Sequence, residues 1–181
     1  MTELVAESGV SRATTYRIVA ALIGHGFLAR SADGLLSAGP RLAPRGAALR
    51  AQPLLVELRD ATGESAQLFV RRGQRRMCLA AVESMYELRT SVPVGSLLPL
   101  GRGSGGKALR GASTESGYFV SMAERAPGVA SVSAPVMVGG TVVAAISVSG
   151  PIERMGMDAV RRMGETVVRA AAKLSTWWTT V

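Results

Sequence analysis

The chain has a single cysteine, Cys78, so no disulfide framework can form within it, and a reducing compartment is expected. It has a single histidine, His25, and one His with one Cys cannot make a zinc site of the usual kind. The same shortage leaves poor material for a Ser-His-Asp triad, and general bases are scarce, so an enzyme is not expected. No apolar run reaches membrane-spanning length, and Glu3 and Glu7 stand where a signal peptide would be basic. A cytoplasmic protein without membrane association is the expectation. Aromatic residues make up only 4% of the chain, and lysine is nearly absent: Lys107 and Lys173 are the only two.

What is present is apolar and basic. Hydrophobic residues reach 48% of 181 positions, ample for a core, and the formal charge is +8. The positive charge is almost all arginine, which suits phosphate and carboxylate recognition.

The N-terminal stretch reads as two short helices and a tight turn. Leu4 and Val5 give the first an apolar side, and Gly9 ends it. Ser11 is a good N-cap for the second, in which Thr15, Ile18, Val19 and Leu22 recur at helical spacing. Arg12, Thr14, Tyr16 and Arg17 fall on the opposite face, and Gly24 and Gly26 stop the helix. This is the layout of a helix-turn-helix, whose second helix meets bases and phosphates with its first two turns. Asp33-Gly34 between short apolar runs is a hairpin signal, and a hairpin after a helix-turn-helix makes a winged helix. Arg30 on that wing is placed to touch phosphate. The expected division is a winged helix over 1–40, a linker helix over 41–52 and a second domain over 53–181.

In the second domain Leu54, Leu55 and Leu58 line one side of a helix closed by Gly63. "SAQLFV" and "RMCLAAVE" read as strands joined through Gly73, with Cys78 a buried thiol. Arg71, Arg72, Arg75 and Arg76 cluster at that turn, either as a solvated hairpin tip or as a DNA contact. "LRTSVPVG" reads as a further strand. "VASVSAPVMV" and "TVVAAISVSG" flank Gly139-Gly140, a hairpin signal. Ser131, Ser133, Ser147 and Ser149 alternate with apolar residues, so they share strand faces, pointing to water or lining a small polar pocket. Residues 155–178 read as a closing helix with Met163, Val167, Ala171 and Leu174 on one side.

"GRGSGGKA" carries most of the phosphate-loop pattern, but Ala108 replaces the Ser or Thr that would hold Mg²⁺. The preceding segment is broken by Pro93, Gly95 and Pro99, where a buried strand should run. The stretch instead reads as a turn feeding a helix that begins near Gly105, with free backbone N–H groups suited to a small carboxylate.

These motifs together resemble the IclR family of bacterial transcription regulators. The residues that carry the resemblance are "SGVSRATTYRIVAALIGHGFLAR", "DATGESAQL", "VPVGSLLPLGRGSGGKAL" and "GVASVSAPV…VVAAISVSGP". The wording of "GESAQL", "VPVGS", "PGVASVSAPV" and "SVSGPIERM" is most similar to actinobacterial members that control amino-acid biosynthesis, notably leucine genes. The resemblance implies an α+β protein: an N-terminal winged helix, a linker helix and a GAF-like effector domain with an antiparallel sheet flanked by helices. It implies double-stranded operator DNA and a small-molecule effector as partners, no cofactor, and assembly as a homodimer or dimer of dimers. It places Gly103, Ser104 and Gly105 around the effector pocket and matches Ser131, Ser147 and Ser149 to pocket positions. Ser121 falls where many members carry an Asp. Two departures accompany it. The family's first DNA-domain helix is absent before Met1, which would expose Ile18 and Leu22. A stretch of several helical turns is also missing between "KALRG" and "GYFV", where it normally helps to close the pocket. Those departures leave a small-carboxylate sensor without DNA binding as the alternative function.

Overall fold

The computed structural model describes residues 2–25, 27–30, 34–38, 43–111 and 114–178. Two compact units divide the chain between Gly46 and Ala47.

The first unit begins with helix α1 (Thr2–Ser8) and helix α2 (Arg12–Gly24), separated by a turn in which Gly9 has φ +65°. Ser11 caps α2, its Oγ accepting from the Thr14 backbone N–H at 3.3 Å. Thr15 and Val19 are buried, as the helical spacing predicts. Ile18, expected on the same buried face, is 48% exposed, and Leu22 is half-buried. Strands β1 (Leu28–Arg30) and β2 (Leu36–Ala38) pair antiparallel, Leu28 opposite Ala38 and Arg30 opposite Leu36. Gly34 adopts φ +84° between them. Asp33, the other half of the expected turn signal, lies outside the described residues, as do Gly26 and residues 39–42.

The second unit is built on helix α3 (Ala43–Thr62) from Ala47 onward and a six-stranded antiparallel sheet ordered β5-β4-β3-β8-β7-β6. Its strands are β3 (Ser65–Arg72), β4 (Arg75–Val82), β5 (Leu97–Pro99), β6 (Phe119–Met122), β7 (Val129–Val138) and β8 (Thr141–Pro151). A six-residue helix α4 (Ser104–Leu109) lies between β5 and β6, and α5 (Met157–Trp178) closes the unit. The β7–β8 hairpin turns at Gly139 and Gly140, with φ of +55° and +78°, the conformation that two-residue hairpin loops require.

The linker helix expected to end at residue 52 does not end there. α3 runs without a break through Pro53, and Ala47 and Ala51 belong to the same core as Leu54, Leu55 and Leu58. A proline inside a helix costs ~3 kcal/mol, whereas each buried leucine returns ~1.5–3 kcal/mol, so three of them outweigh the lost bond. Pro53 and Leu49 also lie on the exposed side, where water can satisfy the carbonyl that Pro53 cannot serve. A second difference concerns "LRTSVPVG", which is irregular chain rather than a strand: Pro93 lacks a ladder donor, and pairing resumes only at β5.

Strand alternation gives the sheet two distinct faces. On one, Leu68, Val132, Ala134, Ile146 and Val148 pack against α3 and against Met163, Val167, Ala171 and Leu174 of α5. On the other, Phe69, Cys78 and Ala145 form a smaller cluster with Val92, Leu100, Ala108 and Leu109, under α4. Cys78 is fully buried there, and that burial pushes its thiol up to about 11. The candidate serines also lie on the α4 face.

Candidate functional site

In the first unit the residues singled out from sequence lie at the front of α2. Ser11, Arg12, Thr14, Tyr16 and Arg17 are all exposed. The Ser11 and Thr14 hydroxyls are 2.9 Å apart and hold the helix start. The Arg12 guanidinium stands 5.9 Å from the centre of the Tyr16 ring. The first turn of α2 contains no acidic residue, and neither Arg12 nor Arg17 is ion-paired among the described residues. Arg30 is exposed on β1. The outcome is a cationic helix start whose donors point to solvent.

In the second unit, strand register gathers the serines. Ser131 pairs with both Ser149 and Ser121, Ser133 pairs with Ser147, and Ser147 in turn lies opposite Gln67. Ser104, at the start of α4, donates to Ser131 Oγ at 2.7 Å and stands 2.7 Å from Ser133 Oγ. Ser133 donates to Ser147 Oγ at 2.7 Å, and Ser149 donates to Gln67 Oε1 at 3.1 Å. Ser104, Ser121, Ser133, Ser147, Ser149 and Gln67 are buried, and Ser131 is half-buried. Buried hydroxyls must find partners: Ser104, Ser131, Ser133 and Ser147 find one another, and Ser149 finds Gln67. A polar strip therefore crosses β3, β8, β7 and β6 beneath α4.

The lysine of the glycine-rich loop is engaged within the unit. Lys107 Nζ donates to the Val120 carbonyl at 3.0 Å and pairs with Glu124 at 2.5 Å. Glu124 also accepts from Gly103 N at 3.2 Å. The Lys107 hydrogen bond holds the Glu124 carboxyl below its ordinary range. Gly103 adopts φ +80°, and a Cβ on Gly106 would meet the Leu100 carbonyl oxygen at 2.2 Å, so side chains are excluded at both positions.

Two groups escape sequence reading. Gln67 carries a signal, since Ser65 and Gln67 alternate with Ala66 and Leu68. Arg76 carries none, because it is one of four clustered arginines, two on each side of Gly73-Gln74, expected at a hairpin tip. Arg71, Arg72 and Arg75 are indeed exposed, but Arg76 is 3% exposed and stacks on Phe69. The reason is its pairing opposite Leu98 of β5, which turns its side chain under the glycine loop.

Comparison with known proteins bears on both units. The IclR helix-turn-helix domain matches residues 1–32, and the bacterial transcriptional regulator IclR C-terminal domain matches residues 45–116 and 111–176. The chain belongs to the IclR family. It is a DNA-binding transcriptional regulator with an effector-binding C-terminal domain. The two matches of the C-terminal domain meet at 111–116, the place where the chain is expected to be shorter than other members. The HTH-type transcriptional regulator BhcR of Paracoccus denitrificans is 27% identical over 220 aligned residues, covering 97% of this chain and 79% of that protein. An IclR-family regulator from Rhodococcus sp. is 28% identical with a TM-score of 0.67, over 97% of this chain and 84% of the other. A regulator C-terminal domain from Vibrio cholerae is 32% identical with a TM-score of 0.63, over 68% of this chain and 93% of the other.

Proposed function

We propose that α2 is the operator-reading helix, with Arg12, Tyr16 and Arg17 facing the major groove, Ser11 and Thr14 fixing its first turn, and Arg30 meeting phosphate from the wing. The observation that carries this reading is the cationic front of α2, solvent-facing and with no acidic residue in its first turn. Arginine contacts to phosphate and guanine supply affinity and sequence choice respectively.

The effector is a small molecule held against the polar strip of Gly103, Ser104, Gly105, Ser121, Ser131, Ser147 and Ser149. The protein acts as a homodimer or dimer of dimers, and the effector switches it by binding two arrangements with unequal affinity. The regulated genes serve amino-acid metabolism, leucine biosynthesis first among them, as the wording of the two serine strands suggests.

Fluorescence anisotropy tests the DNA half. DNA from upstream of the protein's own gene and of leucine-biosynthesis genes is compared with scrambled DNA at two salt concentrations. Specific binding that survives moderate salt and weakens in Arg17→Ala is expected. Equal binding to scrambled DNA that vanishes with salt, or an Arg17→Ala variant of unchanged operator affinity, overturns it.

A further inference from the structure

The β3–β4 turn sets arginine against arginine. Arg71 lies opposite Arg76 and Arg72 opposite Arg75 in the strand register. Like charges directly opposite each other in a ladder repel and weaken it. Arg76 is buried, and its Nη1 donates to the carbonyls of Pro99 and Arg102, the second at 2.5 Å. Arg71, Arg72 and Arg75 are exposed, and none of them is ion-paired among the described residues. Arg71 Nε donates to the Gly73 carbonyl at 3.1 Å, which neutralises nothing.

More positive charge adjoins the turn. Leu100 N donates to the Gln74 carbonyl at 3.1 Å, which brings Gly101 and Arg102 beside it. A Cβ on Gly101 would stand 3.9 Å from Arg110 Nη1. Arg102 and Arg110 are exposed and likewise without an ion pair among the described residues. The charge of Arg110 reaches Glu124, which Lys107 already holds. Residues 71–75 and 99–102 include neither an acidic nor an aromatic residue. The lack of aromatics removes the stacking that holds single strands and the anchors typical of protein interfaces. What remains is arginine charge, which suits the phosphates of a duplex.

The position of the turn within the unit favours the same partner. The register that sets Phe69 opposite Ala145 brings Arg72 level with Val142, whose partner on β7 is Met137. Met137 N donates to Ser175 Oγ at 3.0 Å, and Arg50 Nη1 donates to the Trp177 carbonyl at 3.4 Å. The turn thus lies at the end of the second unit where α3 enters it. DNA held by the helix-turn-helix of the same chain is therefore presented to the turn at high local concentration.

We propose that Arg71, Arg72 and Arg75, with Arg102 and Arg110 beside them, form a second DNA contact, carried by the effector-binding domain, that grips backbone phosphates without reading sequence. It goes beyond the operator-reading role of α2 and acts on any duplex.

The test is anisotropy of the full chain on a scrambled duplex and on DNA from upstream of its own gene, each across a salt series. Arg71→Gln/Arg72→Gln/Arg75→Gln is compared with the same three positions changed to Lys. Arg161→Gln/Arg162→Gln/Arg169→Gln is the charge-matched control on the exposed side of α5, where Arg162 and Arg169 line a groove with Ala61 and Thr62 at the far end of α3. Each phosphate contact contributes about 0.9 to the slope of log affinity against log salt, so the hairpin glutamine variant should lose about 2–3 from that slope. Both duplexes should weaken by the same factor, about tenfold or more. The lysine variant should keep the slope, and the α5 control should keep both slope and affinity. The glutamine variant should melt no lower than wild type, since it removes like-charge pairs. Arg102→Gln, outside the strands, is the second variant and should lose about 1 from the slope. An unchanged slope in both hairpin-side variants, an equal loss in the α5 control, or a loss confined to the upstream DNA would overturn the proposal. So would a wild-type chain that binds neither duplex. Failure of the α2 reading alone looks different: wild type then binds both duplexes equally, while the hairpin variant still loses slope on each.

Discussion

Ser133→Ala isolates the hydroxyl at the centre of the serine strip. Ser133 is fully buried and its Oγ lies 2.7 Å from both Ser104 and Ser147. Removing it deletes two contacts and leaves one buried hydroxyl on each side short of a partner. A net contribution near 1 kcal/mol per hydrogen bond, with ~1–3 kcal/mol for a stranded buried group, gives a loss of about 2–3 kcal/mol. Ser131 is the control: it is half-buried and shares one hydrogen bond, with Ser104, so Ser131→Ala should cost about 0.5–1.5 kcal/mol. Urea denaturation of both variants, compared at constant m, reads the difference directly. In a thermal scan Ser133→Ala should melt roughly 5–10 °C below wild type. The double variant Ser133→Ala/Ser147→Ala should cost less than the sum of the single losses, since the two residues share one hydrogen bond. A Ser133→Ala variant no less stable than Ser131→Ala would mean that the hydroxyls do not satisfy one another, and the account of the strip would fail.

Gly106→Ala should disrupt the loop, because its Cβ would meet the Leu100 carbonyl oxygen at 2.2 Å; a variant as stable as wild type in urea would refute that packing. Cys78 should resist thiol reagents at pH 8 in the folded state and react on unfolding, since burial raises it from 9.0 to about 11. The sign for stability follows: the protonated thiol favours the fold, and its contribution is lost as pH rises from 9.0 towards about 11, which alkaline titration of wild type against Cys78→Ala would show. Glu124 works in the opposite sense. Its lowered carboxyl favours the fold above the ordinary glutamate value of 4.5 and loses that contribution as pH falls further, a dependence that Lys107→Met should diminish in acid-unfolding curves.

The amino-acid order by itself determined the elements and much of the division of labour. Ser11, the spacing of Thr15 and Val19, and the cationic opposite face define a capped helix start exposed to solvent, because a cap and a helical period are local properties. Gly139-Gly140 and the alternation of serines with Val132, Ile146 and Val148 define a hairpin with one polar face, because strand pleating has a period of two. Tertiary structure decided which face those serines meet and what completes the strip. Ser104, from another part of the chain, bridges Ser131 and Ser133 only because α4 covers that side of the sheet. Tertiary packing also carried α3 through Pro53, since Leu54, Leu55 and Leu58 gain more by burial than the helix loses. It left Ile18 exposed against its own period. Arg76 is the clearest case: the two arginine pairs either side of Gly73-Gln74 look alike in sequence, and only the pairing of β4 with β5 buries one of the four beneath the glycine loop.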